Sequence, residues 1–239
     1  MFAQVKDFPL NSEVFCVIFI NLMIDLHTHS LFSDGALVPA ELVRRAVVRG
    51  YEAIAITDHA DSSNIDFIIP RIIRAAEDLS GLMPITVIPG IELTHVPPKS
   101  IKALVNQARR LGAKIIVVHG ESPVEPVAEG TNRAAIAAGV DILAHPGFIT
   151  AQDASFAARK GVFLEITSRS GHSLTNGHVA KTALKAGARL ALDTDAHEPD
   201  DLIDDSFAEK VLFGAGLSAK ECAAAFRNSR EIVNRVLGG

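Results

Sequence analysis

The sequence predicts a single-domain α/β fold whose parallel strands close, or nearly close, into a barrel. Three observations predict it. Short apolar runs alternate with helical patterns from Met23 to the end of the chain, the order that builds parallel βαβ units. Gly50, Gly81, Gly112, Gly139, Gly161 and Gly187 each stand between a helical pattern and the next apolar run, where a helix C-cap belongs. Seven such units in a chain of 239 residues favour a barrel. A doubly wound open sheet is the alternative, but no Gly-x-Gly-x-x-Gly or P-loop follows the first apolar run.

In order, the first strand is placed at residues 23–28. Pro39 suits a first helical turn, and a helix follows at 40–48, closed by Gly50. The second strand is 53–57, and the second helix 66–79 ends at Gly81. The third strand is 85–88. Pro97 and Pro98 precede a helix at 99–111. The fourth strand is 114–118, followed by a helix at 125–138. The fifth strand is 141–144, with a helix at 151–160. The sixth strand is 162–166, with a helix at 178–186. The seventh is 189–192. The tail from 204 to 237 reads as helical with a break at Gly214-Ala215-Gly216.

Hydrophobic residues make up 48% of the chain, with no Trp and one Tyr, so the core is aliphatic. The net charge of −5 and the lack of a Lys/Arg block argue against a long nucleic-acid partner. Cys16 and Cys222 lack metal-type spacing, which points to a reducing, cytoplasmic setting. The apolar run at 14–24, broken by Asn21, is too short to span a membrane. Residues 1–22 are therefore read as an N-terminal extension, with a native start at Met23, and residues 23–239 as the domain. The oligomeric state stays open.

The polar residues carry the functional signal. In IDLHTHSLFSDG, His27 and His29 project to one strand face, as a metal site needs. Asp25 shares that parity and is expected to orient a ring, while Ser33-Asp34-Gly35 is turn chemistry. The later strands run into Asp58 and His59, Glu92, His119, His145, Glu165, and Asp193, Asp195 and His197. Barrel active sites lie at this end of the strands. His27, His29, Asp34, His59, Glu92, His119, His145, Asp195 and His197 are too many donors for one zinc. They suit two or three ions, and mixed imidazole and carboxylate favours Zn, Mn or Fe. Such sites suit phosphate-ester hydrolysis.

The pieces DLHTHS with SDG, TDH, GIE, VHG, AHPG and TDAH, in this order, resemble the PHP superfamily, named for polymerase and histidinol phosphatase. The resemblance spans about residues 23–200 and is nearest to stand-alone histidinol-phosphatase-domain proteins. It implies a distorted (β/α)7 TIM-like barrel and a site for three divalent ions. One ion would take His27, His29, Glu92 and Asp195. The second would share Glu92 with His119 and His145. The third would take Asp34, His59 and His197. The implied activity is hydrolysis of a small phosphate monoester, with histidinol phosphate of histidine biosynthesis as the leading substrate, through attack by metal-activated hydroxide.

Outside that set, Arg169 is expected to bind phosphate, since a guanidinium suits bidentate contacts. His172, in the same loop, is expected to act as general acid or to touch substrate. His95 is a substrate-contact candidate, His178 a structural one, and Asp58 and Asp193 are expected to orient ligands. The alternative reading is a nucleotide or short-oligonucleotide phosphoesterase of the same superfamily. An amidohydrolase would place a Lys at the end of the fourth strand, where His119 stands and Lys114 lies at the beginning. A non-catalytic metal-binding domain is the remaining reading.

Overall fold

The computed structural model describes residues 23–238. The extension at 1–22 and Cys16 lie outside the described residues. The elements are β1 (Ile24–Asp25), α1 (Pro39–Val48), β2 (Ala53–Ile56), β3 (His59–Ala60), α2 (Ile65–Leu82), β4 (Thr86–Leu93), α3 (Pro98–Leu111), β5 (Ile115–His119), α4 (Thr131–Ala138), β6 (Ile142–Ala144), α5 (Ala151–Lys160), β7 (Phe163–Thr167), α6 (Asn176–Ala186), β8 (Leu190–Asp193), α7 (Asp205–Gly214) and α8 (Ala219–Leu237). All pairings in the sheet are parallel, in the order β1-β2-β4-β5-β6-β7-β8. The seven expected strands are these seven, and the short β3 adds a pairing to β4.

The seam between β1 and β8 is closed just past their ends. Thr28 bridges Ala196, the His29 amide donates to the Ala196 carbonyl at 2.9 Å, and the Asp195 amide donates to the His27 carbonyl at 2.9 Å. Two carboxylates tie the seam lower down. Asp193 accepts from the Leu26 amide at 2.7 Å, and Asp25 accepts from the Thr194 amide and hydroxyl at 3.1 and 2.5 Å. Asp25 therefore clamps the barrel shut. It orients no ring, which corrects the parity argument.

Inside the barrel, Ala53, Ala55, Ile88, Ile115, Val117 and Phe163 form an apolar core. Ile232 of α8 belongs to the same core, with Val233 and Val236 packed against it. The outer shell packs residues such as Leu42, Ile68, Ile101 and Leu164 between strands and helices. Burial on this scale is the main stabilising term.

Three boundaries differ for physical reasons. α2 runs through Gly81 to Leu82, with the Met83 amide still bonded to the Leu79 carbonyl; an exposed glycine weakens a helix by about 1 kcal/mol without ending it. β4 continues to Leu93 because Gly90 lets it pass β5. A Cβ there would sit 2.4 Å from Ile115 Cγ2. The helix expected from residue 125 starts only at Thr131. Pro126 lacks an amide hydrogen and disfavours helical geometry at Glu125, so residues 120–130 form a loop over the rim.

Candidate metal centre

The rim begins with two imidazoles from the end of β1 and a turn that brings Asp34 back to them. Asp58 shapes that turn. Its carboxylate accepts from the amide and hydroxyl of Ser30, both at 2.8 Å, and from the amide and hydroxyl of Ser33 at 3.1 and 2.8 Å. Asp58 thus acts through the loop, while touching no imidazole. Gly35 completes the turn, since a Cβ would lie 2.4 Å from the His29 carbonyl oxygen.

All nine expected donors converge. His29, Asp34, His59 and His197 form one group, with Asp34 Oδ1 3.4 Å from His59 Nε2 and 3.2 Å from His197 Nε2. His27, His29 and Glu92 form a second. Asp195 lies beside it, 3.1 Å from His29 Nε2 and 3.7 Å from His27 Nε2. His119, His145 and His172 form a third. Glu92 sits between all three, 3.4 Å from both His27 Nε2 and His119 Nδ1 and 2.5 Å from His59 Nδ1. The grouping differs from the expected one: His29 also belongs with Asp34, His172 joins His119 and His145, stacked on the His145 ring at 4.1 Å, and two further groups combine Glu165 with His27 and His145 and Glu125 with His95 and His119.

Two carboxylates outside the nine-donor set join the rim. Glu165 of β7 accepts from His27 Nδ1 at 2.7 Å and from the His145 amide at 2.9 Å. Its position at a strand end was the available signal. Glu125 meets His95 Nε2 at 2.8 Å, His119 Nε2 at 3.2 Å and His172 Nε2 at 3.3 Å. A helical reading of 125–138 concealed it. Arg169 donates from Nη1 to Asp201 at 2.8 Å, and the same oxygen accepts from the His197 amide at 2.9 Å. His172 is buried, with Nδ1 2.6 Å from the Ser122 hydroxyl. His178 Nε2 bonds the Ile149 carbonyl at 2.8 Å.

The donors fit divalent cations by what they lack. His27 Nε2, both nitrogens of His29, His119 and His145, Glu92 Oε1 and Asp195 Oδ1 are buried without a hydrogen-bond partner. Orphaned buried polar atoms are costly, and here they cluster at one rim. The charges follow from the same crowding. Burial opposes charge on His27, yet Glu165, Glu92 and Asp195 together hold its pKa well above the ordinary imidazole value. Burial likewise opposes charge on His119, but Glu125 and Glu92 raise it to about 10, and Glu92 raises His59. Burial lowers His29 to about 3 and His145 well below normal. His172 is lowered by burial too. Against the effect of burial, His27 and His59 hold Glu92 well below the usual carboxylate range.

These directions set a sign. A protonated His119 stabilises the metal-free fold fully below its unfolded value near 6.5, and that contribution is lost as pH rises through about 10. Cation binding requires neutral imidazoles and releases these protons. Titration of a divalent cation in two buffers of different ionisation enthalpy is therefore expected to show net proton release near pH 7, with affinity rising with pH. Buffer-independent heats would contradict it.

A family model, the PHP domain, matches residues 25–144. An uncharacterized protein of Methanocaldococcus jannaschii is 55% identical over 199 residues, 82% of this chain and 91% of that one. The DNA polymerase/3'-5' exonuclease PolX of Bacillus subtilis is 24% identical over 200 residues, 76% of this chain and 35% of PolX. A 3',5'-nucleoside bisphosphate phosphatase of Chromobacterium violaceum is 56% identical over 36 residues, 15% of this chain and 13% of that protein. A chain in the cryo-EM structure of archaeal ribonuclease P with mature tRNA shares the fold, with a TM-score of 0.67 and 16% identity over 88% of this chain and 90% of that one.

Proposed function

This chain belongs to the PHP domain family, and on that premise we propose that it is a metal-dependent phosphoesterase acting on a small phosphate monoester. The observation that carries the reading is the convergence of buried, unpartnered imidazole and carboxylate atoms at the C-terminal rim of the barrel. Three divalent ions, Zn, Mn or Fe, would be held by His27, His29, Glu92 and Asp195, by Glu92, His119 and His145, and by Asp34, His59 and His197. Bound there, such ions supply Lewis acidity and a lowered pKa for water.

The chain's own residues do the rest. Glu165 fixes the His27 ring with Nε2 facing the centre, as a carboxylate behind a ligating imidazole does. Asp58 sets the turn that presents Asp34. Asp201 holds one nitrogen of Arg169 beside His197 and leaves the rest of the guanidinium for the phosphoryl oxygens. His172 packs on His145 and flanks the His119 and His145 donors. The two-cysteine composition suits a cytoplasmic enzyme, and no helix among the described residues is long and apolar enough to cross a membrane.

Histidinol phosphate is the first substrate to test. A second reading, a nucleotide phosphoesterase, is favoured by the nucleoside bisphosphate phosphatase and the exonuclease among the relatives. Phosphate release by the Mn- or Zn-loaded protein from histidinol phosphate and a nucleoside 3',5'-bisphosphate, and mononucleotide release from a short oligonucleotide, separate them. Turnover of histidinol phosphate alone supports a place in histidine biosynthesis, and turnover of the nucleotides supports the second reading. No turnover of any phosphoester would overturn both.

A further inference from the structure

Three non-glycine residues among the described ones have positive φ: His145 at 25°, Asp195 at 55° and His95 at 53°. Side chains other than glycine adopt this region at a cost of about 1–2 kcal/mol, and such strain gathers where function over-determines the backbone. His145 and Asp195 belong to the proposed metal site, whereas His95 lies outside the nine-donor set. It is held all the same, with Nε2 bonded to Glu125 at 2.8 Å.

Glu125 faces two further imidazoles. His119 turns Nδ1 towards Glu92 at 3.4 Å and Nε2 towards Glu125 at 3.2 Å. His172 turns Nε2 towards the other Glu125 oxygen at 3.3 Å and Nδ1 to Ser122. His119 is almost wholly buried, and neither nitrogen makes a hydrogen bond. A neutral imidazole has one N–H and one lone pair. If the lone pair serves an ion on the Glu92 side, the N–H must point at Glu125.

Resting on the metal-site reading above, we propose that Glu125 is the positioning carboxylate for His119 and His172, and that His95 is held in its strained conformation to keep Glu125 in place. The arrangement repeats on the β5 side what Glu165 does for His27 on the β7 side. Glu125 can hold this place because Pro126 keeps residue 125 out of α4. The role differs from substrate contact: the group that Glu125 fixes is the His119 ring.

The test measures metal binding without turnover. Metal-free wild-type, Glu125→Ala, Glu125→Gln and His95→Asn proteins are loaded with Co(II), and stoichiometry and affinity are read by competition with a chelator and by the visible spectrum. Loss of a carboxylate behind a ligating His weakens metal binding by about 10–100-fold. Glu125→Ala is expected to weaken one ion by that factor and leave the others bound, and Glu125→Gln, which keeps an acceptor, to recover part of the loss. His95→Asn is expected to weaken the same ion while the thermal midpoint of the metal-free protein holds, because Asn, like His, is among the residues that adopt positive φ. A merely structural His95 would lower that midpoint and leave Co(II) affinity alone, which would overturn its role. Wild-type affinity for every ion in Glu125→Ala would overturn the positioning role while sparing the metal-site reading. A wild-type protein that binds no Co(II) would overturn both.

Discussion

Glu92→Gln is expected to cut phosphoester turnover by about 10²–10³-fold, the range for losing one preorganised electrostatic contact, and to release metal. Glu92 is fully buried and lies within 3.4 Å of His27 and His119 and within 2.5 Å of His59. As the proposed shared ligand it touches two ion positions at once. Its loss also has a signature in the metal-free protein. His27, His59 and His119 owe part of their raised pKa to it, so the variant should release fewer protons on metal binding. Removing one partner of a buried charge pair typically costs about 3–5 kcal/mol, so the metal-free variant should unfold at lower temperature. Wild-type metal content and turnover in Glu92→Gln would contradict the shared-ligand assignment.

The second large effect is on stability. Chelation is expected to lower the melting temperature, because it leaves the rim's imidazole and carboxylate atoms buried and unsatisfied. An ion present at 100 times its Kd stabilises the native state by about 2.7 kcal/mol. In a chain of this size 1 kcal/mol corresponds to about 2–4 °C, so even one ion should shift the midpoint by about 5–11 °C. Melting curves with and without chelator, followed by re-addition of Mn or Zn, measure the shift. Identical midpoints would mean that the rim tolerates its orphaned atoms and binds no ion of consequence.

Much of this could be read before any coordinates. The strand ends betrayed the rim because a barrel delivers every strand's last residues to one face, and that logic gathered the nine donors from segments as distant as His27 and His197. What escaped was set by backbone detail. Asp25 looked like a ring-orienting group from parity alone, but β1 is two residues long and twists into a seam that needs its carboxylate for Thr194. Glu125 was hidden by reading the segment before Thr131 as helical when Pro126 disfavours it. The strain at His95 leaves no mark on composition or spacing. The shared membership of His29 depends on side-chain directions that period-two reasoning does not supply.

The most direct test follows one protein preparation through three states: as purified, after exhaustive chelation, and after reloading with Mn or Zn. Product release (phosphate from a monoester, mononucleotide from the oligonucleotide) from the best substrate of the panel is measured in each. The account predicts turnover that disappears on chelation and returns on reloading. Undiminished turnover by the chelated protein would contradict it.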